Sequence, residues 1–218
     1  MPTTTEIAAE FHSLYYESAV WRNTYWHSTP VLKCPFDLWI YQELISDLRP
    51  DLIVECGTWA GGSSLFMAHM LDIIKKGEIL TIDILTTEQV QAHYDQHLGG
   101  QNRPVSIRPK HRRITQLVGS STDAAIVEQV HAAARGLGVV LVVADSDHSF
   151  EHTRDELECY HTLVTSGSYF VMEDTNIPNN GPRQAVENFL RRHQEFSAAR
   201  DLEKFLLTFN PAGYLRRA

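Results

Sequence analysis

The chain has 218 residues, enough for one large domain with a substantial core, and its 43% hydrophobic and 21% charged residues make an ordinary globular composition. Nineteen basic against 27 acidic residues leave a net charge of −8, which excludes the basic footprint of a general nucleic-acid binder but not a small charged ligand. No window approaches the ~20 apolar residues of a membrane span, the N-terminus lacks a signal-like apolar core, and Cys34, Cys56 and Cys159 form no CxxC pair, so a cytoplasmic, reduced protein is expected.

Residues 5 to 18 carry Ile7, Ala8, Phe11, Leu14 and Tyr15 at close to helical spacing and predict a helix. The segment 19 to 36 is irregular and aromatic, with Trp21, Tyr25 and Trp26. A helix then starts at Pro35 and is stopped by Pro50. Residues 1–50 thus read as a helical and aromatic cap on a domain at 51–218. From residue 51 short apolar runs alternate with helical ones. Strands are predicted at 51–56, 78–83, 112–119, 138–145 and 167–174, and helices at 64–76, 87–97, 122–135 (Thr122 as cap), 151–164 and 181–193 (Pro182 in its first turn). A closing pair of strands is expected at 204–209 and 213–217. This alternation predicts an α/β, Rossmann-like architecture: a mostly parallel sheet with helices on both faces. Ligands of such sheets bind beyond the carboxyl ends of the strands. Here those ends are chemically loaded: Glu55 and Gly57, Asp83, Gly119 to Ser121, Asp145 to His148, and Glu173 with Asp174. Cys56 reads as a small buried hydrophobe.

The first of these ends, "ECGTWAGGSS", is a strand, a glycine turn and a helix start. It matches neither GxGxxG nor GxxxxGK[ST], which weighs against a nicotinamide-dependent oxidoreductase and a P-loop. It is similar to the first motif of class I S-adenosylmethionine (SAM) methyltransferases, an acidic residue followed by G-x-x-x-G. That likeness makes Glu55, Gly57, Thr58, Gly61, Gly62, Ser63 and Ser64 candidates for holding SAM. Asp83, at the second strand end, is placed to accept hydrogen bonds from ribose hydroxyls, and Ser120 and Ser121 end the third strand of the same edge.

The stretch "VVADSDHSFEH" puts Asp145, Asp147, His148, Glu151 and His152 directly after the most apolar strand. Glu173 and Asp174 end the next one. Unpaired carboxylates on adjacent strand ends raise one another's pKa, and a divalent cation removes the conflict. An all-oxygen ligand set points to Mg²⁺, with Mn²⁺ or Ca²⁺ as alternatives, rather than zinc.

The segments 33–68, "DSDHSFEH" (145–152), "GSYFVMEDT" (167–175) and "FLLTFNPAGYLRR" (205–217) together resemble the cephalosporin hydroxylase-like family of SAM-dependent O-methyltransferases. The resemblance implies a seven-stranded class I methyltransferase sheet with the last strand antiparallel. It also implies a Mg²⁺ site at Asp147, Glu173 and Asp174. Asp147 is preferred to Asp145 on the family's Asp–His pair, although residues two apart can face the same way. Asp145 is then assigned to the cofactor side. His148 is the general-base candidate, with a hydrogen bond to a metal-bound carboxylate as its other role, and Asp147 joins it in the catalytic set. His152 is expected to face solvent. The implied reaction is methyl transfer to a hydroxyl of a small natural-product or sugar acceptor, such as a vicinal diol or hydroxy-carbonyl. The competing reading is a non-catalytic SAM-binding partner in a multi-protein tailoring step. The N-terminal tryptophans would suit a homo-oligomer interface.

Overall fold

The structure, a computed structural model, describes residues 1–97, 104–176 and 181–218. In chain order the elements are α1 (Thr4–Glu17), β1 (Tyr25–Trp26), β2 (Thr29–Pro30), α2 (Pro35–Leu48), β3 (Leu52–Cys56), α3 (Gly62–Ile74), β4 (Glu78–Asp83), α4 (Thr87–His97), β5 (Ile114–Val118), α5 (Ala124–Ala134), β6 (Val140–Ala144), α6 (Phe150–Tyr160), β7 (Tyr169–Met172), α7 (Gly181–Arg192), β8 (Phe196–Ala198) and β9 (Tyr214–Arg217). Among the described residues the main sheet has seven strands in the order β5-β4-β3-β6-β7-β9-β8. β9 alone runs against the direction of the other six strands. The expected Rossmann-like architecture is present, and its strand order reverses between β3 and β6. No described helix is long and apolar enough to cross a membrane.

The strand sequences account for the layers. "LIVEC" and "VLVVA" are buried along their whole length, as central parallel strands require. Their even and odd positions feed two cores. Leu52, Val54, Cys56, Val140 and Val142 pack with α5, α6 and α7, whereas Ile53, Leu141 and Val143 pack with α2 and α3. The period of two along each strand thus holds one helical layer on each face. Cys56 is fully buried, as expected.

Four local expectations change. The stretch 204–209 is not a strand; the partner of β9 is Phe196–Ala198. Leu206 adopts φ 64°, and the Phe209 N–H goes to Asp37 while its carbonyl accepts from Asn176, so the ladder bonds of a strand are spent on a wrap across the start of α2. The helix expected at 151–164 ends at Tyr160 and continues as a 3₁₀ turn, His161–Leu163. Thr122 does not cap α5; Asp123 does, accepting from the Ala125 N–H. The N-terminal tryptophans are half-buried, Trp21 against Tyr16 and Phe209; the exposed apolar residues of α1 are Ile7, Phe11 and Leu14.

A candidate methyl-transfer site at the carboxyl edge of the sheet

Parallel pairing brings the ends of β3, β6 and β7 side by side. The Asp145 N–H donates to the Cys56 carbonyl at 2.7 Å, and the Glu173 N–H to the Ala144 carbonyl at 3.0 Å. Gly57 is required by this junction. Its φ is +92°, and a Cβ there would lie 1.8 Å from the Asp145 carbonyl oxygen. Gly62 is needed for a different reason: a Cβ would lie 2.1 Å from the Pro30 carbonyl, where β2 crosses α3. Gly61, at φ +82°, caps α3 beside Arg108. Protein neighbours therefore account for these glycines.

Two cavities share the Gly57–Asp145–Ser146 rim. The first, of about 500 Å³, runs over the β3, β4 and β5 ends and is lined by Trp59, Asp83, Ser120, Ser121, Asp147 and His152. The Asp83 carboxylate accepts the Trp59 N–H at 2.7 Å and the Leu85 N–H at 2.8 Å, and pairs with Arg108 at 2.9 Å. The second cavity, of about 360 Å³, opens towards the N-terminal segment. Tyr16, Trp21 and Trp59 form an aromatic wall, and Lys33, His148 and Asp174 a polar floor.

On that floor one donor atom from each of Asp145, His148 and Asp174 lies within 4.8 Å of the other two. His148 Nε2 is 3.4 Å from a carboxylate oxygen of Asp145 and of Asp174, and it is buried with no hydrogen-bond partner of its own. Asp174 holds a left-handed backbone, φ 55°, a conformation that short acidic side chains tolerate better than most. Lys33 Nζ sits 2.6 Å from both Asp145 and Glu173, and Tyr41 donates its hydroxyl to Glu173. Burial, then the neighbouring Asp145 charge, pushes Asp174 up to about 6. The same two causes, against Lys33, push Glu173 up to about 8. For Asp145 burial acts upwards, but Lys33 and then His148 hold it below the ordinary carboxylate value. Burial disfavours a charged His148, yet Asp145, Asp174 and Glu173 raise it to about 9. The floor thus gathers three carboxylates around the Lys33 ammonium and an imidazole that they hold protonated. Its carboxylate oxygens fit a hard divalent cation, with His148 beside the ligands rather than among them.

Several expected site residues lie elsewhere. Asp147 is outside the cluster: its carboxylate accepts the Ser149 N–H at 2.7 Å in the turn before α6, and it faces the first cavity. Asp145 lies in the cluster instead, because the first residue beyond β6 continues the ladder through its N–H to Cys56. Glu55 does not face either cavity. It points under α3, where the hydroxyls of Ser63 (2.5 Å), Ser64 and Thr81 (2.6 Å) all donate to its carboxylate. Ser63 and Ser64 are thereby committed to Glu55, and the Thr58 hydroxyl pairs with that of Thr81 at 2.5 Å. His152 is turned inwards rather than to solvent, 3.0 Å from the Ser121 hydroxyl. Ser121 also donates to the buried Glu156 at 2.5 Å, and the Ser120 hydroxyl lies 3.1 Å from that of Thr122.

Sequence reasoning missed Lys33, Tyr41, Trp59 and Arg108. Only Lys33 leaves a legible trace: a lysine in "PVLKCP", between apolar residues and prolines, has no exposed helix or loop to occupy. Arg108 comes from a loop with no periodicity, and its pairing with Asp83 spans 25 residues.

Residues 18–218 match the profile of the family described as Rhamnosyl O-methyltransferase/CmcI. A rhamnosyl O-methyltransferase of Mycobacterium leprae is 33% identical over 98% of this chain and 92% of its own length. One from Mycobacterium tuberculosis H37Rv is 31% identical over 97% of this chain and 85% of its own. Among solved structures, CmcI in an Mg–SAM form superposes with a TM-score of 0.62 at 18% identity, covering 90% of this chain and 77% of that one. The O-methyltransferase NovP gives 0.57 at 14% identity, covering 86% and 81%. These two likenesses concern the fold.

Proposed function

The chain belongs to the Rhamnosyl O-methyltransferase/CmcI family, and we propose on that footing that it transfers the methyl group of SAM to a hydroxyl of a rhamnose-type sugar or similar natural-product acceptor, with Mg²⁺ bound beside the acceptor. The observation that carries this reading is the convergence of Asp145, His148 and Asp174 on the floor of the second cavity, with Asp145 also on the rim it shares with the first. One cavity has the Asp83 and Ser120–Ser121 edge suited to a nucleoside. The other has an aromatic wall suited to a sugar face.

Asp145 and Asp174 would hold the cation, with Glu173 as the third carboxylate once its contact with Lys33 loosens. Bound there, the ion would lower the pKa of an acceptor hydroxyl and orient it. His148, on the floor of the cavity between Asp145 and Asp174, would take that hydroxyl's proton; those carboxylates raise it to about 9 in the metal-free chain, so it would serve as a base only where a cation offsets their charge. Lys33 supplies fixed positive charge between Asp145 and Glu173, which keeps two buried carboxylates apart from mutual repulsion. Asp83 would accept from ribose hydroxyls, with Arg108 and the Trp59 N–H fixing its orientation. Gly57, Thr58, Gly61 and Gly62 shape the turn over which SAM would lie. Tyr16 and Trp21 would exclude water from the transfer path, so that much of the rate gain comes from alignment of the acceptor oxygen with the sulfonium methyl. The acidic net charge supports a small-molecule rather than a nucleic-acid partner, the unpaired cysteines support a reducing, cytoplasmic setting, and the apolar face of α1 supports a homo-oligomer.

The test is release of S-adenosylhomocysteine with a rhamnosylated acceptor, run with Mg²⁺ and with chelator. Turnover that chelator abolishes and Mg²⁺ restores is the expected result. SAM binding without turnover on any deoxysugar acceptor would instead favour the non-catalytic partner reading.

A further inference from the structure

At the far ends of α6 and α7, opposite the carboxyl edge, three side chains meet that the proposed reaction does not use. His161 opens the 3₁₀ turn after α6, His193 follows α7, and Glu195 lies in the turn into β8. One donor atom from each lies within 4.8 Å of the other two. The two imidazole centroids are 4.5 Å apart. His193 stacks on Phe189 with centroids 4.2 Å apart and 17° between planes, and His161 meets the edge of the same ring at 5.6 Å. Packing on a buried phenylalanine therefore holds both rings in place.

The tautomer of His161 is settled by its neighbour. Its Nδ1 lies 3.0 Å from the Leu157 carbonyl, which only accepts. In the neutral ring the proton is then on Nδ1 and the lone pair on Nε2. A metal-ligating histidine is prepared in this way, with its other nitrogen donating to a carbonyl. His193 Nδ1 is 3.1 Å from Glu195, and its Nε2 is 3.8 Å from Glu158, a carboxylate that also pairs with Arg192 at 2.6 Å. Glu195 stays exposed, which leaves room for a water ligand.

We propose that His161, His193 and Glu195 form a second metal site, for a divalent ion of the zinc type, remote from the methyl-transfer edge. Two imidazoles and one carboxylate suit Zn²⁺, Co²⁺ or Ni²⁺, whereas Mg²⁺ prefers oxygen ligands throughout. An ion there ties the end of α6 to the α7–β8 turn. Because β8 is the last strand of the sheet, the site would act as a clamp on that edge.

The experiment uses the full chain, stripped with chelator and returned to excess Mg²⁺ so that the carboxylate site is served. Calorimetric titration with Zn²⁺ should show one saturable equivalent per chain that Mg²⁺ does not displace. The melting temperature should rise with it, and methyl transfer should stay unchanged. His161→Gln and His193→Gln should each weaken Zn²⁺ binding by more than the ~10–100-fold typical of an outer-sphere partner. Glu195→Gln should weaken it less, and as an exposed change it carries the test if either histidine variant fails to fold. No saturable Zn²⁺ binding in excess Mg²⁺, or binding that survives the His161→Gln/His193→Gln double variant, would overturn the assignment.

Discussion

Two strand ends of this molecule each bury a glutamate, and they treat it in opposite ways. Beneath the β3 end, Glu55 is surrounded by neutral hydroxyls of Ser63, Ser64 and Thr81. Burial raises its pKa and those donors oppose the rise. The Glu55 carboxylate itself lines neither cavity, although Ser63 reaches the wall of the second. At the β7 end, Glu173 is balanced by the Lys33 ammonium and the Tyr41 hydroxyl, beside two further carboxylates on a cavity floor. A buried acid satisfied by short neutral donors is a fixed part of the packing. One balanced by a charged side chain, next to surplus carboxylate, can exchange its partner for a cation.

This contrast can be broken by substitution. The largest effect is expected at the β6–β7 floor. Asp145→Asn and Asp174→Asn should each lower methyl transfer by about 100-fold or more, since a hard cation is sensitive to the number of ligand charges. Both should remove the rise in melting temperature that Mg²⁺ gives the native protein by mass action. Asp147→Asn should leave that rise largely intact, because its carboxylate is spent on the Ser149 N–H. If Asp147→Asn and not Asp145→Asn abolishes the Mg²⁺ response, the assignment of the floor is reversed.

Lys33→Met comes next. It removes the ammonium that bridges Asp145 and Glu173, so the metal-free protein should melt lower, and Mg²⁺ should recover more of the loss than in the native chain. A metal-free melting temperature equal to native would show that the pair is not strained without its cation.

Glu55→Gln should behave differently. The amide can accept from one hydroxyl group but turns a donor towards the others, so a cost of about 1–3 kcal/mol in stability is expected. SAM affinity and turnover of the folded fraction should stay near native. Calorimetry showing weaker SAM binding at unchanged stability would return Glu55 to the cofactor site.

The smallest effect is a pH dependence of the metal-free protein. His148 rises to about 9 in the folded chain, above its ordinary ~6.5. Its contribution to stability is therefore complete below about pH 6.5 and is lost as the pH climbs through 9. Melting in chelator should fall over that window, and His148→Gln should flatten the curve. An unchanged slope in the variant would assign the titration to another group.

The positions where sequence and fold disagree follow a pattern. The motif "DSDHS" shows that acid and imidazole follow β6, but not which of its two aspartates stays on the sheet edge and which falls in the turn before α6. The ladder bond from Asp145 to Cys56 decides that. "ECGTW" shows an acid before the glycine turn, yet residue 55 faces α3 because Cys56 and Val54 face the other layer. "KFLLTF" has strand composition, but Asp37 captures the Phe209 N–H and the Thr208 hydroxyl from 172 and 171 residues away.

What the residues determined by themselves was local and periodic: strand after strand of β-branched runs, helices between them, and polar residues gathered where each strand stops. Those features come from sterics and burial within a few positions, so they can be read along the chain. Which carboxylate faces which neighbour was decided only by the packed sheet. The point where the chain leaves the β6 ladder, a lysine arriving from 112 positions away and an arginine from 25 determine the charge balance of the site. Electrostatic energy depends on separations of a few ångströms between elements, and no spacing within the chain specifies them.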